Sequence, residues 1–223
     1  MRYVSLFSGV EAATVAWEPL GWEPMAFAEI EPFPCEVLKR RFPGVPNLGD
    51  VCKIDWSDFC ERYGVPGLVV GGSPCQSFSV AGKREGLDGA SGLMWEYVRA
   101  VRELGERGTR WAVWENVPGA LSSGKGDDFR CLLEALDESG FDCAWRVLDA
   151  QYYGVAQRRR RIWLVAANRL SFGDFAAGRA AAVLFERNCL SGNPAPSREK
   201  GQGAAESVEG DFGGSGGECD PFE

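Results

Sequence analysis

Gly67-Leu68-Val69-Val70-Gly71-Gly72-Ser73-Pro74-Cys75-Gln76 is a short, β-branched apolar run, bounded by glycines, that breaks off at a thiol. A run of this length and composition reads as a buried strand, so Cys75 falls at a strand-to-loop exit. A cysteine there is positioned for covalent chemistry, although a Pro-Cys pair in a loop also serves structure alone. Two further strand ends carry reactive groups. Trp114-Glu115-Asn116-Val117-Pro118 closes one apolar run, and Gln157-Arg158-Arg159-Arg160-Arg161 leads into another. A nucleophile, an acid and a guanidinium cluster therefore all occupy strand ends.

Outward from this run, strand-like segments alternate with helical ones. Tyr3 to Phe7 precedes a helical Glu11 to Leu20, and Pro24 to Ile30 precedes Pro32 to Phe42. After Gly67 to Gly71 come a helical Leu93 to Leu104, the strand Trp111 to Glu115, a helical Asp128 to Ser139, and strands Cys143 to Leu148 and Ile162 to Ala167. Such a βαβ series predicts an α/β fold, a mostly parallel sheet with helices on both faces. Ligands of open sheets of this type bind at the carboxyl ends of the strands, where the reactive residues are expected.

The chain has 223 residues, 45% of them hydrophobic and eight of them Trp. That is enough to bury one sizeable core. Residues 1–186 read as one catalytic domain. Residues 187–223, rich in Gly, Glu and Ser, have too few apolar groups to pack and read as a disordered acidic tail; Phe175 to Phe185 is a candidate last helix. No stretch approaches the length of a membrane span, and the N-terminus reads as a strand and turn rather than a signal peptide, so a soluble, cytoplasmic protein is expected. Eight Cys form no C-x-x-C pair and there is no His, so no metal site is expected. Any acid or base must be a carboxylate, a thiolate or water.

The net charge of −8 argues against a chain that coats nucleic acid nonspecifically; a nucleic-acid enzyme of this composition has to concentrate its positive charge locally. Residues 187–223 hold three basic and seven acidic groups, so half of the excess lies in the tail. Between Cys75 and Leu93 a segment with Gly82, Gly86, Gly89 and Gly92 has almost no large apolar side chains. It suits either a lid that closes over a substrate or a plain surface connection.

In order, Phe7-Ser8-Gly9, Glu29, Asp50, Pro74-Cys75-Gln76, Glu115-Asn116-Val117 and Gln157-x-Arg159-x-Arg161 resemble the motifs of the DNA (cytosine-5) methyltransferases over about residues 2 to 167. The resemblance implies a Rossmann-like, S-adenosyl-L-methionine-dependent methyltransferase fold and double-stranded DNA as partner. Carbon 5 of cytosine is too weak a nucleophile to take a methyl group from a sulfonium, and a thiolate adding to carbon 6 makes the ring electron-rich. By resemblance Cys75 supplies that thiolate, Glu115 holds ring nitrogen 3 and the exocyclic amine, and Arg161, supported by Arg159, holds the carbonyl oxygen. Arg158 and Arg160 point to the opposite face of an extended segment and read as a solvated, phosphate-binding run.

For the methyl donor, the resemblance brings Phe7, Gly9, Val10 and Ala12 to the methionine part, Glu29 to the ribose hydroxyls, Ile30 and Asp50 to adenine, and Ser73, Pro74 and Met94 to the pocket wall. Gln76, Ser79, Asn116 and Gln157 are expected at the substrate. The Gly-rich segment is the expected clamp on a base swung out of the duplex. The sequence departs from the family at Glu11, where a second glycine is usual, and this carboxylate is expected close to the donor's own.

The family normally continues into a target recognition domain and a returning Gly-Asn segment with a helix; neither is recognisable here. Three functions accommodate that. One is a catalytic part, minimal or completed by a second polypeptide, in restriction-modification or phage self-protection. The second is a fragment that catalyses nothing alone. The third is a tRNA cytosine-5 methyltransferase, which shares this motif set.

Overall fold

The computed structural model describes residues 1–73 and 90–185. Pro74, Cys75, Gln76, Ser79, the Gly-rich segment up to Gly89 and the tail 187–223 lie outside the described residues, and so do the expectations of a lid and of a disordered tail.

Six strands form one sheet among the described residues: β1 (Arg2–Leu6), β2 (Glu23–Ala28), β3 (Leu68–Gly71), β4 (Trp111–Asn116), β5 (Phe141–Asp149) and β6 (Arg160–Asn168), in the order β2-β1-β3-β4-β6-β5. The helices are α1 (Ala12–Trp17), α2 (Pro32–Arg41), α3 (Trp56–Tyr63), α4 (Ala90–Glu106), α5 (Asp127–Glu138), α6 (Arg169–Phe172) and α7 (Ala176–Leu184). The expected elements are thus present, with the last helix at α7. Two were missed, α3 and the four-residue α6; α3 has too short an apolar pattern to register, yet its boundaries carry signals. Asp55 accepts from the N–H groups of Ser57 and Asp58, and Gly64 follows the helix at φ 83°, an N-cap and a C-terminal glycine.

Strand alternation sorts the core. Val4, Leu6, Val69, Ala112, Trp114, Ile162 and Leu164 face α3, α4 and α5, while Tyr3, Leu68, Val70, Val113, Val165 and Ala167 face α1 and α7. Trp56, Tyr97 and Trp114 are fully buried on the first face, and burying an apolar side chain contributes about 1.5–3 kcal/mol. Asn168, also buried, ties α4 to the sheet edge: its Nδ2 donates to the carbonyls of Gly105 and Thr109 at 3.0 and 2.7 Å.

Strand direction departs from the purely parallel pattern that a βαβ series implies. β1, β2, β3 and β4 are parallel, but β6 runs antiparallel to both β4 and β5. Only a short link with a 3-10 turn at Ala150–Tyr153 joins β5 to β6. A parallel return needs a long crossover, whereas a short link makes a hairpin. Because β6 alone is reversed, its amino end lies beside the carboxyl ends of the other strands, with Ile162 opposite Asn116. No helix of the described residues is long and apolar enough to cross a membrane.

Candidate active site at the carboxyl edge of the sheet

The turn after β1 is held in an unusual backbone conformation: Phe7, Gly9 and Glu11 have φ of 53°, 55° and 66°. Left-handed φ is uncommon for residues other than glycine, and local hydrogen bonds over-determine it here. The Ser8 hydroxyl donates to the Ser5 carbonyl at 2.8 Å. The Gly9 N–H donates to Glu29 Oε2 at 2.7 Å. The other oxygen, Glu29 Oε1, accepts from the N–H groups of Ile30 and Glu31, each at 2.8 Å. Glu29 is therefore fixed at the end of β2 by three backbone donors, and Oε2, with a single donor, retains accepting capacity.

Beside it lies a cavity of about 300 Å³ whose wall includes Phe7, Glu29, Ile30, Asp50, Gly72 and Leu93. Ile30 is 62% exposed, an apolar surface open to a flat ring. Asp50 caps a 3-10 turn, accepting from the Cys52 N–H at 3.0 Å. That N–H, with Lys53 beside it, holds the Asp50 carboxyl below the usual carboxylate range. A largely apolar cavity bordered by the acidic residues Glu29, Glu31 and Asp50 suits a purine nucleoside whose ribose and exocyclic amine both donate, so the residues present fit an adenosyl group.

Of the residues expected at the methyl donor, Met94, Ser73, Val10 and Ala12 do not line this cavity. Met94 is 5% exposed and packs in the core; its neighbour Leu93 takes the wall position, because α4 turns Met94 onto the sheet. Val10, 47% exposed, and Ala12, also exposed, are not in the wall. Gly9 acts on the cavity through the N–H that it donates to Glu29.

Glu11 also departs from expectation. Its side chain folds back onto α1 and is buried, with Oε1 accepting from the Thr14 N–H and hydroxyl at 3.0 Å each. The Thr14 hydroxyl in turn contacts Tyr3 Oη at 2.6 Å. Glu11 Oε2 has no partner. Burial raises the Glu11 carboxyl above its ordinary range and pushes Tyr3 up to about 12. The residue that replaces a glycine of the turn is thus a helix cap turned inwards, not a charge facing the cavity.

At the end of β4, Glu115 meets two guanidinium groups. Arg161 Nε lies 2.9 Å and Arg159 Nη2 3.7 Å from Glu115 Oε1, consistent with the alternation that puts these two arginines on one face. Gly72 lies against Glu115: a Cβ there would stand 3.1 Å from its carbonyl oxygen and from Oε2. Arg159 is oriented by Asp149, whose Oδ1 accepts its N–H at 3.1 Å. Asn116, expected at the substrate, is buried instead, and its Nδ2 donates to the Ser73 carbonyl at 3.1 Å. Trp114 Nε1 donates to Ser73 Oγ at 3.1 Å. Ser73, which precedes Pro74-Cys75, is clamped by Trp114 and Asn116 of β4. Gln157 is exposed on the link into β6.

Sequence reasoning missed Asn47, Leu93, Asp149 and Trp114 as parts of this edge. Of these, only Asn47 carried a local signal, since Pro46-Asn47-Leu48-Gly49 is a turn composition; the others act through contacts distant in sequence.

A family model described as C-5 cytosine-specific DNA methylase matches residues 1–175. Over 89% of its length the chain is 39% identical to the DNA N-6-adenine-methyltransferase of Escherichia phage P1, covering 32% of that protein. Over 75% of its length it is 36% identical to the type II methyltransferase M2.BsuMI of Bacillus subtilis, covering 42% of it. The chain thus spans a third to two fifths of these relatives. Spodoptera frugiperda DNMT2 superposes with a TM-score of 0.61 at 22% identity, over 75% of this chain and 50% of that one, a likeness of fold. With a family match over residues 1–175, the chain that carries this cavity and the Glu115–Arg161 pair belongs to the C-5 cytosine-specific DNA methylases.

Proposed function

We propose that this chain is the catalytic part of a DNA cytosine-5 methyltransferase and acts on a base turned out of the duplex. The observation that carries this reading is the convergence of Glu115, Arg159 and Arg161 beside Ser73, at the edge that also bears the Glu29 and Asp50 cavity.

S-adenosyl-L-methionine, when bound, supplies an electrophilic methyl group. The Glu29 carboxylate receives the ribose hydroxyls, Ile30 covers adenine, and Asp50 accepts from its amine. The Cys75 thiolate adds to carbon 6 of cytosine, and the electron pair of the 5,6 double bond moves to carbon 5, which takes the methyl group as the sulfonium leaves as a neutral thioether. Loss of the carbon 5 proton to water then restores the double bond and expels the thiolate. While the thiolate adds, negative charge grows at nitrogen 3 and the carbonyl oxygen; Glu115, taking up a proton as the base enters, donates it in a hydrogen bond to nitrogen 3, and Arg161 faces the oxygen. Fixing Ser73 to Trp114 and Asn116 restrains the backbone that leads to Cys75.

A second reading is favoured by the phage P1 relative, which is named a DNA N-6-adenine-methyltransferase. Attack by an exocyclic amine needs no thiol. Incubation with methyl-labelled S-adenosylmethionine and duplex DNA, tRNA or no nucleic acid, followed by nucleoside analysis, separates the possibilities. Label in 5-methylcytosine of DNA, lost in Cys75→Ser, is expected. Label in N6-methyladenine, label in tRNA alone, or full activity of Cys75→Ser overturns the proposal.

A further inference from the structure

We infer that Arg158 and Arg160, with Lys125 of the loop beside them, form a docking strip for the phosphate backbone of duplex DNA on the side of the sheet opposite the Glu115–Arg161 pair. This rests on the methyltransferase reading above, and extends it to residues that reading does not use.

Arg159 and Arg161 turn to Glu115. By alternation, Arg160 lies on the face of Ile162 and Leu164, the α5 side; Arg158 stands two residues before the start of β6. Both are exposed, and among the described residues neither has a carboxylate oxygen within 4.0 Å.

The acids of that side are engaged elsewhere. Asp149 stands opposite Arg160 in the sheet, but its oxygens accept from the N–H groups of Arg159 and Gln151 and from Gln151 Nε2. Asp127 pairs with Arg130 at 3.0 Å. Asp128 is buried and accepts from the Ser123 hydroxyl at 2.6 Å.

The loop after β4 adds a third cation to the same side. Its Pro118–Leu121 turn packs against β6, and the following residues carry an exposed Lys125 at φ 61° between two glycines, Gly124 and Gly126, of φ 55° and 96°. A left-handed lysine is an uncommon conformation, and the Ser123–Asp128 bond helps to hold it. The exposed Tyr152 and Tyr153 flank the arginines on the link into β6; tyrosine hydroxyls are regular partners of phosphate and sugar. In a chain of net charge −8, exposed Arg158 and Arg160 at the amino end of β6, with the exposed Lys125 on the loop after β4, concentrate positive charge as a polyanion requires.

Phosphate contacts of this kind depend on charge rather than on a bidentate fork, so lysine should replace arginine. Binding of a fluorescent mixed-sequence 20-base-pair duplex to the full chain is measured against salt concentration. Each lost phosphate contact lowers the magnitude of the log–log slope by about 0.9, so the Arg158→Ala/Arg160→Ala variant should lose about 2 from the slope, and Arg158→Lys/Arg160→Lys should restore it. Arg130→Ala, on the outer face of α5, should leave the slope unchanged, and calorimetric titration with S-adenosylmethionine should give the same affinity for every variant.

An unchanged slope in the double alanine variant overturns the strip. Wild-type protein without salt-dependent duplex binding overturns it too, as does an effect confined to tRNA. A slope change in protein that transfers no methyl group leaves the strip standing and removes the activity reading alone.

Discussion

Asn47 grips the backbone of Glu29 from both sides: its Oδ1 accepts the Glu29 N–H at 3.0 Å and its Nδ2 donates to the Glu29 carbonyl at 3.0 Å. The same Oδ1 also accepts from Gly49 at 3.2 Å, so one side chain joins the end of β2 to the segment that delivers Asp50. Glu29 and Asp50 are thus registered to each other through a residue that does not line the cavity.

Asn47→Ala should therefore weaken S-adenosylmethionine binding by roughly tenfold, since each hydrogen bond removed contributes about 0.5–1.5 kcal/mol. Calorimetric titration reads this directly. Affinity equal to the wild type would show that Glu29 keeps its place without the clamp.

Arg161→Ala should reduce methyl transfer by about 10²- to 10³-fold, the usual loss when one donor to developing negative charge is removed. Lysine should not restore it, because the contact with Glu115 is made by the guanidinium Nε at 2.9 Å. Arg159→Ala should have a smaller effect, given its 3.7 Å separation and half-exposed side chain. Equal losses for the two arginines in single-turnover measurements would contradict the assignment of unequal roles.

Glu11→Gln tests the inward-facing cap. Burial raises the Glu11 carboxyl above its unfolded value, so the folded state binds the proton more tightly. The stability this favours is fully present at pH values below the ordinary carboxylate range and falls as pH rises through the raised value. Urea unfolding between pH 4 and pH 8 should show wild type losing stability relative to the Gln variant as pH increases. A difference independent of pH would mean that the carboxyl titrates as it does in the unfolded chain.

Gly71→Ala should destabilise the fold by about 1–3 kcal/mol, typical of overpacking. A Cβ there would meet the Leu6 carbonyl oxygen at 2.9 Å and Leu6 Cβ at 3.1 Å, and neither can move without disturbing the β1–β3 pairing. Gly44→Ala, with open space around it, is the matched control and should unfold near the wild-type temperature.

Local sequence carried the reading of the elements. Val69-Val70 between glycines, the alternation in Trp111 to Glu115 and the apolar periodicity of Asp128 to Ser139 are patterns of neighbouring residues, and each formed the element expected. The short helix α3 escaped because its eight residues offer little more than two turns of periodicity, although its caps were legible.

By itself the sequence determined the order of strands and helices, the two faces of Gln157 to Arg161, and which acids end strands, because these follow from side-chain period and turn chemistry within a few residues. Tertiary structure alone decided that β6 is reversed, and with it that arginines preceding a strand share an edge with a glutamate ending another. It also decided that Leu93 rather than Met94 meets the cavity, that Asn116 holds Ser73, and that Glu11 turns inwards. Those outcomes depend on hydrogen bonds and packing between residues tens of positions apart, whose partners no local pattern specifies.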